Sequence, residues 1–165
     1  MKKLFLFATL LCLSTGVYAQ SAPSFSLDEL KSKEDMNPLA QKAISYILST
    51  PADTAQQMRK DAKDYLMIWM EKTEDYSFAI DNIAVQLLEE NKEEGMVFFA
   101  ALAEAMMNDK NITPQKANEA AAKRLIQYSN ASRNKLQPGT ALTKMTEADK
   151  KGKLKEYLDS ITQIK

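Results

Sequence analysis

MVFFAALAEAMM, residues 96–107, contains a single polar side chain, Glu104. Asn91 and Glu94, just before this stretch, have the spacing of a helix N-cap and the partner that completes a capping box. A helix that is apolar on all sides is normally surrounded by other helices. We therefore expect the helix that begins after Asn91 to lie at the centre of a helical bundle.

The rest of the chain has the composition and spacing of further helices. After residue 19 only three glycines occur, and no clear stretch alternates polar with apolar side chains, which disfavours strands. Apolar residues recur three or four positions apart, as helices with one buried face require. Segments with this spacing begin at Asn37-Pro38, Thr50-Pro51, Ile80, Thr113-Pro114 and Thr146. We predict an all-α fold over residues 37–165, an antiparallel bundle or stacked helical hairpins with about six helices.

The first 19 residues have the three parts of a secretory signal peptide. Two lysines precede an apolar run over residues 4–13, and Val17 and Ala19 provide the small side chains that signal peptidase requires. We expect cleavage between Ala19 and Gln20. The apolar run is about half the roughly 20 residues that cross a bilayer, so no integral membrane anchor is expected after cleavage. These features predict secretion across the inner membrane, to the periplasm or the extracellular medium.

The mature domain lacks the residue types on which many enzymes depend. The chain has no histidine, and its one cysteine, Cys12, lies inside the signal peptide. Disulfides, Ser-His-Asp and Cys-His systems and histidine zinc sites are therefore excluded. Without the two signal lysines the mature chain has 20 basic and 22 acidic residues, a balance that predicts no nucleic-acid partner. Residues 20–36, poor in apolar side chains, are predicted to form a flexible tether or a short fraying helix.

No cofactor and no metal site is predicted. Neither of the glycine-rich phosphate motifs, G-x-x-x-x-G-K-S/T and G-x-G-x-x-G, occurs in the chain. Residues 109–113 begin like a calcium-binding loop, but Pro114 occupies the position that needs glycine.

Aromatic and methionine side chains provide the candidate binding residues. Trp69, the only tryptophan, and Met70 lie at a predicted helix end, and Tyr76 follows an acidic turn. Such side chains are enriched in interfaces, and methionines adapt to irregular partners. A tryptophan that seals the end of a core is the common alternative. The pattern favours a non-enzymatic protein that binds a protein or peptide partner in the cell envelope.

Two other functions stay open on the sequence alone. A carboxylate-based hydrolase of envelope glycans needs only two acidic residues, one with a raised pKa, and Glu104 among apolar neighbours is the candidate for that acid. A small-ligand carrier needs a cavity between the helices. The position of Glu104 and the size of any cavity discriminate between these alternatives.

Overall fold

A computed structural model describes residues 25, 33–54, 57–78 and 80–162. These ranges contain no strand and form seven α-helices, which confirms the all-α prediction. The helices are α1 Lys33–Ser49, α2 Gln57–Lys72, α3 Asn82–Glu90, α4 Lys92–Asn108, α5 Pro114–Asn130, α6 Thr140–Lys150 and α7 Leu154–Thr162, and a short 3-10 helix, Ser132–Asn134, follows α5.

The predicted signal peptide, residues 1–19, lies outside the described residues, as do the cleavage point between Ala19 and Gln20 and most of the segment 20–36. Those assignments stay predictions. Phe25 is described, and its ring is buried with its centroid 5.9 Å from that of Tyr46 in α1. Within the ranges that the structure covers, no helix is long and apolar enough to cross a membrane.

Helix α4 occupies the centre of the bundle, as its apolar sequence predicts. Every residue from Val97 to Ala103 is buried, because α1, α2, α3 and α5 all pack against this helix. Towards its C-terminal end, residues 104–107 are only half-buried. The C-terminal end of α4 therefore lies at the edge of the core, where its side chains are partly exposed to solvent.

Asn91 alone joins α3 to α4. Its backbone N–H donates to Leu87 O at 2.9 Å and ends α3, while its side-chain oxygen accepts the N–H of Glu93 at 3.0 Å and begins α4. Gly95 permits this tight hairpin, because a Cβ atom at that position would lie 3.0 Å from the Cα of Leu88 in α3. The predicted cap at Asn91 is confirmed.

The two N-terminal Xaa-Pro starts are not where these helices begin. Helix α1 starts at Lys33, so Asn37 lies within it and serves as a hydrogen-bonding residue for other elements. Thr50 follows the end of α1, where its hydroxyl donates to Tyr46 O at 2.7 Å, and α2 begins only at Gln57. The tertiary partners of these side chains outweigh their local tendency to cap. Predicted caps at Asn37 and Thr50 are therefore wrong.

The third Xaa-Pro start is correct. Thr113 caps α5, and its hydroxyl oxygen accepts the N–H of Lys116 at 3.4 Å. Pro114 occupies the first turn of the helix, where the missing N–H leaves no helical hydrogen bond unmade.

Gly152 divides the last predicted helix into α6 and α7. Its backbone is left-handed, with φ +67°, and the N–H of Lys153 donates to Ala148 O at 2.8 Å while that of Gly152 donates to Asp149 O at 2.9 Å. These two bonds are the Schellman pattern that ends a helix. Thr146 consequently lies inside α6, and the prediction that it starts the last helix is wrong.

Gly152→Ala should lower the free energy of unfolding by about 1 to 2 kcal/mol, because a Cβ atom is strained in left-handed backbone. Urea unfolding measures the change. The stability of Gly152→Asn should lie between that of the natural protein and that of Gly152→Ala, since asparagine tolerates this conformation better than alanine does. Equal stability of the alanine variant and the natural protein would contradict the left-handed assignment.

A buried arginine connects four helices at the C-terminal end of α1. Arg59 of α2 is 1% exposed, and its Nη1 donates to Ile47 O at 2.9 Å and to the Thr50 hydroxyl at 2.6 Å. Its Nη2 donates to Glu93 of α4 at 3.0 Å, and Tyr128 of α5 donates to Thr50 O at 2.6 Å. Arg59 thereby satisfies carbonyl groups at the C-terminal end of α1 that the helix leaves unpaired.

Candidate functional site

Trp69 lies at the base of an aromatic cluster. Its side chain is 0% exposed, and its Nε1–H donates to Asn37 Oδ1 of α1 at 2.9 Å. The rings of Tyr76 and Phe78 pack on it at centroid distances of 5.7 and 5.5 Å. Trp69 therefore does not reach the surface, and it positions residues that do.

The same asparagine fixes the segment between α2 and α3. Asn37 Nδ2 donates to Asp75 Oδ2 at 2.6 Å, and the Thr73 hydroxyl oxygen accepts the N–H of Asp75 at 3.3 Å. Tyr76 follows and is half-buried. This connection is tied to α1 and α2 by side chains on both sides of the tyrosine.

A pocket of about 210 Å³ opens beside Tyr76, where this segment meets the end of α4 and the start of α5. We call it the Tyr76 pocket. Its apolar floor consists of Leu102, Met106, Ile112 and Ala117, and its rim includes Asp75, Ser77, Lys110 and Asn118. The half-buried end of α4 supplies Met106.

Lys110 places a positive charge at this rim. Its Nζ lies 5.4 Å from the centroid of the Tyr76 ring, a cation–π distance. On the other side, Asn118 Nδ2 donates to Asp81 Oδ2 at 2.5 Å, and Asp81 also caps α3. Ile80, next to that aspartate, is 61% exposed. The pocket thus has a charged rim, and Ile80 is an exposed apolar side chain that does not line it.

The structure separates the three predicted binding residues. Tyr76 lines the pocket, Trp69 lies beneath it, and Met70 is half-buried against the core without lining it. Met106 and Lys110 were not among the binding residues predicted from the sequence. Met106 was visible only as one methionine of an apolar helix, and Lys110 only as part of a loop that does not fit calcium.

Glu104, the candidate acid of a glycan hydrolase, lies in a different environment. Its side chain is 38% exposed, and its Oε2 is 3.5 Å from Arg124 Nε of α5 in an ion pair. A catalytic acid of this class needs a buried side chain, whereas the side chain of Glu104 is 38% exposed. Among the described residues, no group of three or more acidic side chains could hold a metal ion.

In the ranges that the structure describes, the buried acid is Glu94, at the α3–α4 hairpin. It is 0% exposed, and its Oε1 accepts the N–H of Gly139 at 2.5 Å, while Oε2 of Glu90 accepts the N–H of Ala141 at 2.7 Å. The two carboxylates cap α6, which has no side-chain cap of its own. Burial raises the pKa of Glu94 despite the bond from Gly139, and the charge of Glu90 raises it further.

Glu94→Gln should therefore change the pH dependence of stability. With a raised folded-state pKa, the natural protein loses stability as pH rises from about 4.5 through that pKa. Glutamine keeps an oxygen for Gly139 and does not ionise, so the stability of the variant relative to the natural protein should increase between pH 4.5 and pH 7.

Urea unfolding across that pH range checks this expectation, with Glu147→Gln as control because Glu147 is exposed on α6. If the difference in free energy of unfolding between Glu94→Gln and the natural protein stays constant with pH, the pKa of Glu94 is not raised in the folded protein.

No family model, no curated protein and no solved structure matches the chain. Its function is therefore inferred from the geometry of the site.

Proposed function

We propose that this chain is an exported, non-enzymatic helical protein that binds a protein or peptide partner in the cell envelope, and that the Tyr76 pocket receives one side chain of that partner. The observation that carries the proposal is the pocket itself, which has a volume of about 210 Å³ and an apolar floor under a charged rim. Partners with an exposed aliphatic or aromatic side chain match this floor.

The size of the pocket favours a side chain over a separate small molecule. Enclosed sites for cofactors and drug-sized ligands occupy about 300 to 1,000 Å³, whereas this pocket measures about 210 Å³. The small-ligand carrier is therefore the weaker alternative. The glycan hydrolase is weaker as well, because the side chain of Glu104 is only half-buried and forms an ion pair with Arg124.

The walls of the pocket favour binding without rearrangement. Tyr76 rests on the buried Trp69, and Asn37 holds both Trp69 and Asp75. Side chains that are already ordered lose little conformational freedom when a partner binds. This support suits the pocket to receive an anchor residue.

Export and the absence of a nucleic-acid partner are proposed from the sequence. The signal peptide predicted for residues 1–19 supports the first, and the slight excess of acidic residues after residue 19 supports the second.

The test of the pocket blocks its mouth without removing any packing. Ser77 is exposed and lines the pocket, so Ser77→Trp places an indole ring over the opening. Ser45→Trp is the matched control, because Ser45 is exposed on α1 and does not line the pocket. Random peptides are selected by phage display on protein purified from cells that express the full chain, from one library fused to the coat protein through the carboxyl terminus and one that leaves this terminus free. Calorimetry then measures affinities.

Ser77→Trp should weaken the selected peptides by about tenfold or more, which corresponds to the loss of one well-packed anchor of at least 1.4 kcal/mol. Ser45→Trp should bind as the natural protein does. Equal affinities for both tryptophan variants, or a selection that yields no specific peptide, would refute the proposal.

A further inference from the structure

Lys110, at the rim of the Tyr76 pocket, has no acidic partner in the part of the chain that the structure describes: no carboxylate there lies within 4.0 Å of its Nζ. Its neighbour Asp109 uses Oδ1 to accept the backbone N–H of Asn111 at 2.9 Å. The first turn of α5, where Pro114 borders the pocket, contains no acidic residue, so the positive end of the helix dipole adds to the charge of Lys110.

We infer that the pocket receives the carboxyl-terminal residue of the partner, with the apolar side chain on the floor and the α-carboxylate at Lys110. This inference rests on the proposed function. An internal residue of a partner offers an apolar side chain without an anion at its own backbone, whereas a terminal residue offers both within one residue. A lysine ammonium forms a charge-assisted hydrogen bond with a carboxylate, the group that a chain terminus offers.

Asp75 restricts which terminal residue fits. Asn37 holds one of its carboxylate oxygens at 2.6 Å, so the negative charge is fixed at the rim of the pocket. Like charges repel each other, and a terminal aspartate or glutamate would bring a second carboxylate into the pocket that Asp75 lines. Terminal leucine or phenylalanine therefore suits the site, and terminal acidic residues do not.

The test uses one peptide in two forms: acetyl-Gly-Ser-Gly-Ala-Leu with a free carboxyl terminus, and the same peptide as a C-terminal amide. Calorimetry at low salt should show the free acid binding about tenfold or more tightly than the amide. In Lys110→Met the two forms should differ by less than about twofold. In Lys116→Met the preference should persist, because Lys116 is an exposed lysine of α5 outside the pocket.

Equal binding of acid and amide by the natural protein would overturn the inference, as would loss of the preference in both lysine variants. Tighter binding of free leucine than of the acetylated acid would overturn it in favour of a small ligand. Each of these results leaves the proposed function standing if a display-selected peptide still loses affinity on Ser77→Trp. Failure of every peptide, the selected ones included, would overturn the proposed function itself.

Discussion

Replacing Arg59 with methionine should lower the free energy of unfolding by about 3 to 5 kcal/mol. The guanidinium is 1% exposed and donates to Ile47 O, to the Thr50 hydroxyl and to Glu93. Methionine fills similar space but donates no hydrogen bond, so buried acceptors at the end of α1 lose their partner. Glu93 retains its ion pair with Lys63, which keeps the loss within this range.

Arg124→Met is the matched control for this experiment. Arg124 is 39% exposed and pairs with Glu104 across a 3.5 Å gap, and exposed pairs of this kind contribute about 0 to 1 kcal/mol. Urea unfolding of both variants measures the difference. Similar losses for Arg59→Met and Arg124→Met would mean that the buried network does not hold the four helices together.

Trp69→Ala should cost about 3 to 5 kcal/mol, the usual range when a buried tryptophan is truncated to alanine. The indole is fully buried, and its removal leaves a cavity beneath Tyr76 and Phe78. It also leaves Asn37 Oδ1 without its donor. Trp69→Phe should cost less, because a phenyl ring retains part of the aromatic packing.

Tyr76→Ala distinguishes support of the pocket from the pocket itself. Tyr76 is half-buried at the rim, so its removal should cost less stability than Trp69→Ala while it abolishes binding of the display-selected peptides. Comparable losses of stability for the two variants, measured by urea unfolding, would contradict the placement of Trp69 in the core beneath Tyr76 and of Tyr76 at the surface.

The fold was largely predictable because its central helix, α4, is recognisable from its local sequence. Residues 96–107 contain a single polar side chain, Glu104, and the caps at Asn91 and Thr113 act on amides three residues away or fewer. Thr50 behaves differently because Arg59, nine residues further along, occupies its hydroxyl. Gly152 ends a helix that periodicity alone would continue, since a left-handed glycine outweighs the apolar spacing around it.

The site was predictable only in part. Residue type alone singled out Trp69 and Tyr76, but the depth of Trp69 depends on Asn37, which is 32 residues away in the chain. Lys110 lies at the rim of the pocket because the end of α4 packs beside the segment before α3. No local sequence pattern predicts that the two elements are neighbours. The burial of Arg59 and of Glu94 was not predicted for the same reason: their partners Glu93 and Gly139 lie 34 and 45 residues away.

The central claim, that the Tyr76 pocket receives a partner side chain, is tested most directly by methyl NMR. Protein labelled at its methionine methyl groups is titrated with a display-selected peptide. Met106 lines the pocket, Met67 is exposed without lining it, and Met145 is fully buried in α6. The Met106 resonance should shift strongly while those of Met67 and Met145 stay in place. A peptide that binds and leaves Met106 unmoved would contradict the claim.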